Sequence, residues 1–269
     1  MLIAQISDCH VTTPDRLAYG RVDTAALLSQ AIAAIKALPL APDLILATGD
    51  LVHSGAAVEY DILLEILADI GAPVLPVVGN HDLRETLAEA FDLRRRFALQ
   101  PGFIQYVVDD RPLRLIVMDS ITPGSAEPSY CSARLDWLAD RLAEDSRPTL
   151  LAMHHPPFSA GMAWMEPKDP NWAASLAEML AEHRNVQRMV CGHVHRAMST
   201  TWAGVHAMTA PSTAHQVFLD LATPRRRFSV EAPGFLLHQW AGGRLLSYGA
   251  AVPGLTDAFD LDASPERHN

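Results

Sequence analysis

The sequence predicts an α/β fold, with helices packed outside a largely parallel β-sheet core. Three observations predict it. Short apolar runs, several rich in β-branched residues, alternate with longer stretches whose apolar residues recur every three or four positions. Glycine and proline punctuate the joins, as in Leu40-Ala41-Pro42, Gly71-Ala72-Pro73 and Pro101-Gly102. Finally, 49% hydrophobic against 19% charged residues, in a chain of 269, supplies the apolar material for one sizeable core and excludes a disordered chain.

In chain order, strands are expected at residues 2–6, 44–47, 74–78, 113–118, 149–153 and 187–190, each a compact apolar run. Between them, residues 23–38, 58–70, 83–97, 132–144 and 172–183 carry one apolar face each and read as amphipathic helices. After about residue 200 the rhythm changes. Residues 205–208, 215–220, 235–240 and 244–248 read as strands with short connections. The last two are joined through Ala241-Gly242-Gly243, which predicts antiparallel pairing and a hairpin near the C-terminus. Residues 158–171 and 223–234 are irregular. The first stretch and its end carry Met162, Trp164, Met165 and Trp172; the second carries Arg225, Arg226 and Arg227, for which the sequence suggests no role. One domain over residues 1–252 with a polar tail at 253–269 is the expected organisation.

A formal charge of -10 repels nucleic-acid backbones and anionic membranes, so neither a nucleic-acid polymer nor a membrane is an expected partner. It leaves room for a small anionic substrate, because bound metal ions reverse the field locally. Cys9, Cys131 and Cys191 show neither a CxxC spacing nor an even-numbered framework, and read as thiols of a reducing compartment. The start Met1-Leu2-Ile3-Ala4-Gln5-Ile6 has no basic region ahead of a short apolar run, and no segment approaches a membrane span. A cytoplasmic protein is expected.

The chemistry is concentrated at strand ends. Asp8 and His10 follow the first strand, Gly49-Asp50 the second and Gly79-Asn80-His81-Asp82 the third; His154-His155-Pro156-Pro157 and Gly192-His193-Val194-His195 follow two later ones. The carboxyl ends of strands in open α/β sheets form the crevice where ligands bind, so residues scattered in sequence should converge there. In extended chain, positions i and i+2 face one side, which would aim Asp8 with His10, and His193 with His195, at a common ion while Cys9 and Val194 turn away. Carboxylate oxygen and imidazole nitrogen suit Zn, Mn, Co and Fe. Asp50 is the natural bridge between two ions. Glycine before Asp50, Asn80 and His193 permits close backbone approach. A lone Asp-x-His or Gly-Asp carries no information, and a single histidine is more often a packed core residue; five such segments in order, all at strand ends, are another matter.

These segments resemble the calcineurin-like metallophosphoesterase superfamily, whose signature runs Asp-x-His, Gly-Asp, Gly-Asn-His-Asp/Glu, a histidine in a His-x-Pro context, and Gly-His-x-His. The matches are Asp8-Cys9-His10, Gly49-Asp50, Gly79-Asn80-His81-Asp82, His154-His155-Pro156 and Gly192-His193-Val194-His195. Within it the chain is most similar to bacterial class III cyclic-nucleotide phosphodiesterases and related glycerophosphodiesterases, through Gln5-Ile6-Ser7-Asp8, Leu135-Asp136-Trp137-Leu138, Met153-His154-His155-Pro156-Pro157 and Pro211-Ser212-Thr213-Ala214-His215-Gln216. Cys9 departs from the threonine often found between the first two ligands. The resemblance implies a four-layer αββα sandwich of two mixed sheets flanked by helices. It implies two divalent or transition metal ions per chain, Mn, Fe, Zn or Co, one held by Asp8, His10, Asp50 and His195 and the other by Asp50, Asn80, His154 and His193. His81 would stand beside the phosphate as a catalytic residue outside the ligand set.

The expected reaction is hydrolysis of a phosphodiester by a metal-bridging hydroxide attacking phosphorus in line with the departing ester oxygen, Asp50 holding both ions and His81 answering the developing charge. The expected substrate is a small-molecule phosphodiester, first a 3',5'-cyclic nucleotide of the cAMP type. The alternatives are a glycerophosphodiester or a broad range of diesters; a non-catalytic scaffold of the same fold would be expected to have lost ligands, and a nuclease fits poorly with the acidic charge. Asn80, His81 and His195 are expected to meet the substrate, and His155, Tyr19 and His215 are further candidates for the pocket wall. Asp82 is expected to brace the loop of Asn80 and His81, while His53 and His206 read as packing or surface residues. A homodimer or higher homo-oligomer is a further expectation.

Overall fold

The computed structural model describes residues 1–252; the expected polar tail at 253–269 lies outside the described residues. Along the chain run β1 (Leu2–Ile6), α1 (Thr24–Lys36), β2 (Leu44–Ala47), α2 (Ala57–Ala68), β3 (Val74–Pro76), α3 (Arg84–Ala90), α4 (Leu93–Arg96), β4 (Tyr106–Val108), β5 (Arg114–Val117), β6 (Ile121–Thr122), β7 (Ser125–Pro128), α5 (Ser132–Glu144), β8 (Thr149–Ala152) and α6 (Ala174–Glu182). They are followed by β9 (Val186–Cys191), β10 (Met198–Trp202), β11 (Val205–Thr209), β12 (Gln216–Val217), β13 (Phe228–Ser229), β14 (Gly234–Ala241) and β15 (Arg244–Ala251).

Two mixed sheets result. One has the order β15-β14-β1-β2-β3 and the other β10-β11-β9-β8-β5-β4; β12-β13 and β6-β7 form small ribbons. The parallel pairs are β1 with β2, β2 with β3, β5 with β8, β8 with β9 and β9 with β11, which aligns, within each sheet, the carboxyl ends of the strands that lead into the candidate ligands. Period-two alternation sets the layers. Leu115, Val117, Leu150, Ala152 and Val190 join the core that also holds Ile3, Ile6, Leu44 and Leu46 of the other sheet and Leu28, Ile35 and Leu63 of α1 and α2. Their neighbours Ile116, Leu151, Met189 and Cys191 face away, onto Leu138 and Leu142 of α5 and Leu176 and Leu180 of α6. The layers are therefore helix, sheet, sheet, helix, as the family resemblance implied.

Departures from expectation have local causes. The helix expected at 83–97 divides into α3 and α4, because Asp92 adopts φ +51° and caps the second piece. Phe91 and Leu93 stay buried on either side, so the apolar period runs through a backbone break that it cannot register. The strand expected at 215–220 shrinks to Gln216–Val217, and Leu219 beyond it is exposed. The edge strand β10 reads Met-Ser-Thr-Thr-Trp and has no apolar alternation to betray it; β4 and the two ribbons are simply short.

A buried polar network stitches the two sheets together. Gln5 on β1 donates from Nε2 to Thr48 Oγ1 and to the Cys191 carbonyl on β9, both at 2.9 Å. Its Oε1 accepts from Nε2 of His238 on β14 at 2.9 Å, and Ser247 Oγ lies 2.7 Å from His238 Nδ1. Burial, then the nearby Arg188 charge, brings the His238 imidazole down to about 3. The unfolded chain therefore gains this proton below about pH 6.5 while the folded chain resists it to about pH 3, so stability falls with acidification across that window. A His238→Gln variant should show a flatter dependence of the urea midpoint on pH between 6.5 and 4; an unchanged slope would remove His238 from the account.

No helix among the described residues is long and apolar enough to cross a membrane. Cys9, Cys131 and Cys191 are free thiols, the first and last of them buried.

Candidate metal centre

The five strand-end segments meet at one end of the sandwich. The chain leaving β1 runs beside the chain leaving β2: the amides of Asp8, His10 and Val11 donate to the carbonyls of Gly49, Asp50 and Leu51 at 3.0, 2.9 and 3.1 Å. Gly192 donates its amide to the His154 carbonyl at 2.9 Å, linking the ends of β8 and β9. The glycines are space requirements. A Cβ on Gly79 would lie 2.1 Å from the Asp50 nitrogen, one on Gly49 2.4 Å from His154 Nδ1, and one on Gly192 2.1 Å from Ser7 Oγ and 2.6 Å from the Thr48 carbonyl. Gly192→Ala should therefore destabilise the fold by about 2–3 kcal/mol through overpacking, read as a lower urea midpoint; an unshifted midpoint would mean the turn relaxes freely.

The backbone at the ligands is not extended, as the i, i+2 expectation assumed. Of the eight non-glycine residues with positive φ among the described residues, five are candidate ligands: Asp8, His10, Asp50, His193 and His195. The strands have ended before these positions, and left-handed residues turn the side chains in toward one another. Such conformations cost of order 1 kcal/mol or more each and cluster where surrounding structure holds a site in shape.

All seven expected ligands converge. His10 Nε2 lies 3.2 Å from His195 Nε2 and 3.7 Å from Asp50 Oδ2. His195 Nε2 lies 3.5 Å from Asp8 Oδ1. On the other side of Asp50, His154 Nε2 is 3.4 Å from Asp50 Oδ2 and 3.1 Å from Asn80 Oδ1. The His193 ring stands 5.2 Å from that of His154, and its amide donates to both Asp8 oxygens at 3.0 and 3.1 Å. Asp50 is thus flanked by one set of ligands on each side. Backbone carbonyls fix the tautomers. Thr48 O lies 2.9 Å from His154 Nδ1, and His215 O 2.8 Å from His195 Nδ1. A carbonyl only accepts, so each Nδ1 carries its hydrogen, which leaves each Nε2 as the nitrogen turned inward. Imidazole nitrogens and carboxylate oxygens crowd one another here, and the donor set is compatible with two metal ions.

The electrostatics agree. Burial would raise the Asp50 carboxyl, but the charge of His154 and its hydrogen bond, then His81 and His10, hold it well below the usual range. Burial, with a smaller push from the Asp50 charge, raises Asp8 against the pull of His195 and His154. His154 would be lowered by burial, yet Asp50, the bond to it and Asp8 push it up to about 9. A field that holds a proton so firmly would draw a divalent ion. Burial brings His193 down to about 3 and His10 well below its usual value, leaving both as neutral imidazoles with lone pairs to give.

Around the ligands, His81 donates its amide to Asp50 Oδ1 at 2.7 Å and its Nδ1 hydrogen to the His53 carbonyl at 2.8 Å. Asp82 accepts from the Gly79 amide at 2.8 Å, from Tyr60 Oη at 2.8 Å and from the Leu51 amide at 3.2 Å, the bracing expected of it. His155 is held by Ser120 Oγ, 2.9 Å from Nδ1, with its ring 4.5 Å from that of His193. Tyr19 and His215 face each other at 5.1 Å, and His215 lies 4.7 Å from His195. His53, expected to be a packing residue, lies 5.7 Å from His10 and 5.2 Å from Tyr19, and its carbonyl orients His81; Ser120 also went unforeseen. His206 sits exposed on β11. A cavity of about 180 Å³ opens onto the centre, and Trp164, Met165, Arg226 and Phe228 from the two irregular stretches reach its wall. Met162 instead packs with Val194 and Val217, and Trp172 against Tyr130. Phe228 and Arg226 had no signal in the sequence, because only the folded ribbon β12-β13 brings them to the cavity wall.

The comparisons agree with this arrangement. The family model for calcineurin-like phosphoesterases matches residues 1–197. A probable glycerophosphodiester phosphodiesterase of Arcobacter nitrofigilis is 33% identical over 243 residues, covering 89% of each chain. A probable cyclic nucleotide phosphodiesterase of Rhodopseudomonas palustris is 33% identical over 261 residues, covering 89% of this chain and 92% of its own. A dimetal phosphatase from Danio rerio superposes with a TM-score of 0.70 at 16% identity, over 94% of this chain and 96% of that one, which speaks to the fold alone.

Proposed function

The chain belongs to the calcineurin-like phosphoesterase family of hydrolases, and on that premise we propose that it hydrolyses a small phosphodiester with two divalent metal ions, in the first place a 3',5'-cyclic nucleotide of the cAMP type. The observation that carries the reading is the placement of Asp50 between two sets of inward-facing ligands, with His10 and His154 Nε2 at 3.7 and 3.4 Å from the same Oδ2. Asp8, His10, Asp50 and His195 would hold one ion, and Asp50, Asn80, His154 and His193 the other. Bound there, two such ions would neutralise phosphoryl oxygens and lower the pKa of the attacking water. The chain's own groups do the rest. The amide hydrogen bond from His81 to Asp50 fixes the backbone beneath the phosphate, and the bond to the His53 carbonyl leaves His81 Nε2 as the nitrogen able to meet the departing ester oxygen. Trp164 and Phe228 supply apolar wall to the cavity.

The relative named for glycerophosphodiesters supports a second reading, in which the alcohol is a glycerol headgroup. Protein reconstituted separately with Mn, Zn, Fe and Co should be assayed on cyclic AMP, glycerophosphocholine and bis(p-nitrophenyl) phosphate. The proposal expects metal-dependent cleavage of the chromogenic diester and a kcat/KM for cyclic AMP above that for glycerophosphocholine. A reversed order transfers the assignment to glycerophosphodiesters, and no diester cleavage with any metal overturns it.

A further inference from the structure

The far wall of the metal cavity is a built aromatic surface. Phe228 of β13 stacks on Tyr19 with ring centroids 5.0 Å apart and planes at 29°, and meets Trp164 edge-on at 5.6 Å. It stands 4.6 Å from His215 and 5.9 Å from the candidate ligand His195, so the wall begins where the coordination sphere ends. Trp164 is brought here by the long segment before α6, where it also packs against the small cluster of Ala160, Met162, Val194 and Val217, and Phe228 by the ribbon before β14. Arg226 completes the arrangement, with its guanidinium carbon 5.7 Å from the centre of the Trp164 ring, and all four residues line the cavity that the metals would share.

We infer that Trp164, Phe228 and Arg226 form the subsite for the alcohol arm of the substrate and select a flat heteroaromatic ring, the base of a nucleotide diester, over a cationic headgroup. This rests on the phosphodiesterase reading of the metal centre. Two arguments carry it. Ring faces and edges beside a phosphoryl site offer stacking to any planar base, largely independent of its identity. An aromatic cage would equally suit a quaternary ammonium, through cation–π attraction. Here, however, the Trp164 ring already carries a guanidinium, and a second cation in the same slot meets repulsion at close range. Arg226 instead offers hydrogen-bond donors and a planar guanidinium to the acceptor-rich edge of a base. The carboxylates that line the cavity besides Asp50 already have partners: Glu127 accepts from the Lys168 amide at 2.9 Å and pairs with its Nζ at 3.5 Å, and Glu166 accepts from Ser159 Oγ at 2.9 Å.

The test compares ratios within one metal-loaded preparation. For Mn-reconstituted wild type, Phe228→Ala, Trp164→Ala, Arg226→Ala and Arg226→Glu, kcat/KM is measured on cyclic AMP, glycerophosphocholine and methyl p-nitrophenyl phosphate, with metal content determined alongside. The ratio of cyclic AMP to glycerophosphocholine should fall about tenfold in Phe228→Ala and in Trp164→Ala, the weight of one base–aromatic stack. Arg226→Glu should lower the same ratio further, by raising activity on the cationic substrate. Ratios that stay at the wild-type value while wild type cleaves all three esters overturn the subsite and leave the metal-centre reading standing. A wild type that cleaves none overturns the metal-centre reading itself.

Discussion

Asp50→Ala is expected to lose bound metal and turnover together, with kcat falling by at least about 10³-fold, or about 4 kcal/mol of transition-state stabilisation. The reason is positional. Asp50 is buried, its Oδ2 lies within 3.7 Å of His10 Nε2 on one side and 3.4 Å of His154 Nε2 on the other, and its Oδ1 anchors the His81 amide at 2.7 Å. Removing it takes the shared negative charge from both ligand sets at once and frees the backbone that carries Asn80 and His81. The histidines would then face one another with only Asp8 to offset two divalent charges. The measurement pairs metal stoichiometry after Mn reconstitution with the rate on bis(p-nitrophenyl) phosphate. Asp50→Asn separates charge from shape: it keeps an acceptor for the His81 amide but halves the case for two ions, and should retain less than the wild-type stoichiometry. Full activity in a metal-loaded Asp50→Ala protein would sink the bridging role.

The layers of the fold and the convergence of the candidate ligands were legible in the sequence for the same physical reason. Strands such as 149–153 are buried on both faces and read as continuous apolar runs, and the polar residues that immediately follow them can only sit at the strand ends. Asp8, Asp50, Asn80, His154 and His193 are all located by that logic. What the sequence did not disclose is conformational or long-range. Left-handed backbone at Asp8, His10 and His195 replaces the extended geometry expected there; aspartate and histidine are enriched at positive φ, but most of them still sit at negative φ, so residue type alone does not mark the ones that tertiary structure holds there. Asp92 breaks a helix for the same reason, beneath an uninterrupted apolar period. His53 acts through its carbonyl, and a carbonyl has no sequence signature. Trp164, Arg226 and Phe228 come from stretches without periodicity, and their meeting depends on the ribbon β12-β13, whose two-residue strands are below what pattern can detect.

His81→Ala, by contrast, should keep both ions and lose rate, by about 10²-fold in kcat. The bond that ties this position to Asp50 comes from its backbone amide, so alanine preserves it, and the proposed ligand sets do not use the His81 ring. The ring is nevertheless held firmly. It packs edge-on to His10 at 4.6 Å, and its Nδ1 hydrogen is committed to the His53 carbonyl at 2.8 Å. That leaves Nε2 on the cavity side as a single, oriented nitrogen, the arrangement needed to share a proton or a hydrogen bond with an oxygen leaving phosphorus. The loss should be largest for poor leaving groups and smaller for p-nitrophenolate, which departs without help; a uniform loss across leaving groups would point to phosphate binding instead. Metal stoichiometry decides the remaining possibility, since a His81→Ala protein that binds one ion fewer than wild type would move His81 into the ligand set. The His53 carbonyl makes a further separation: His81→Gln keeps a polar group of similar reach but cannot both donate to that carbonyl and present a fixed acceptor to the cavity, so it should recover binding without recovering the full rate.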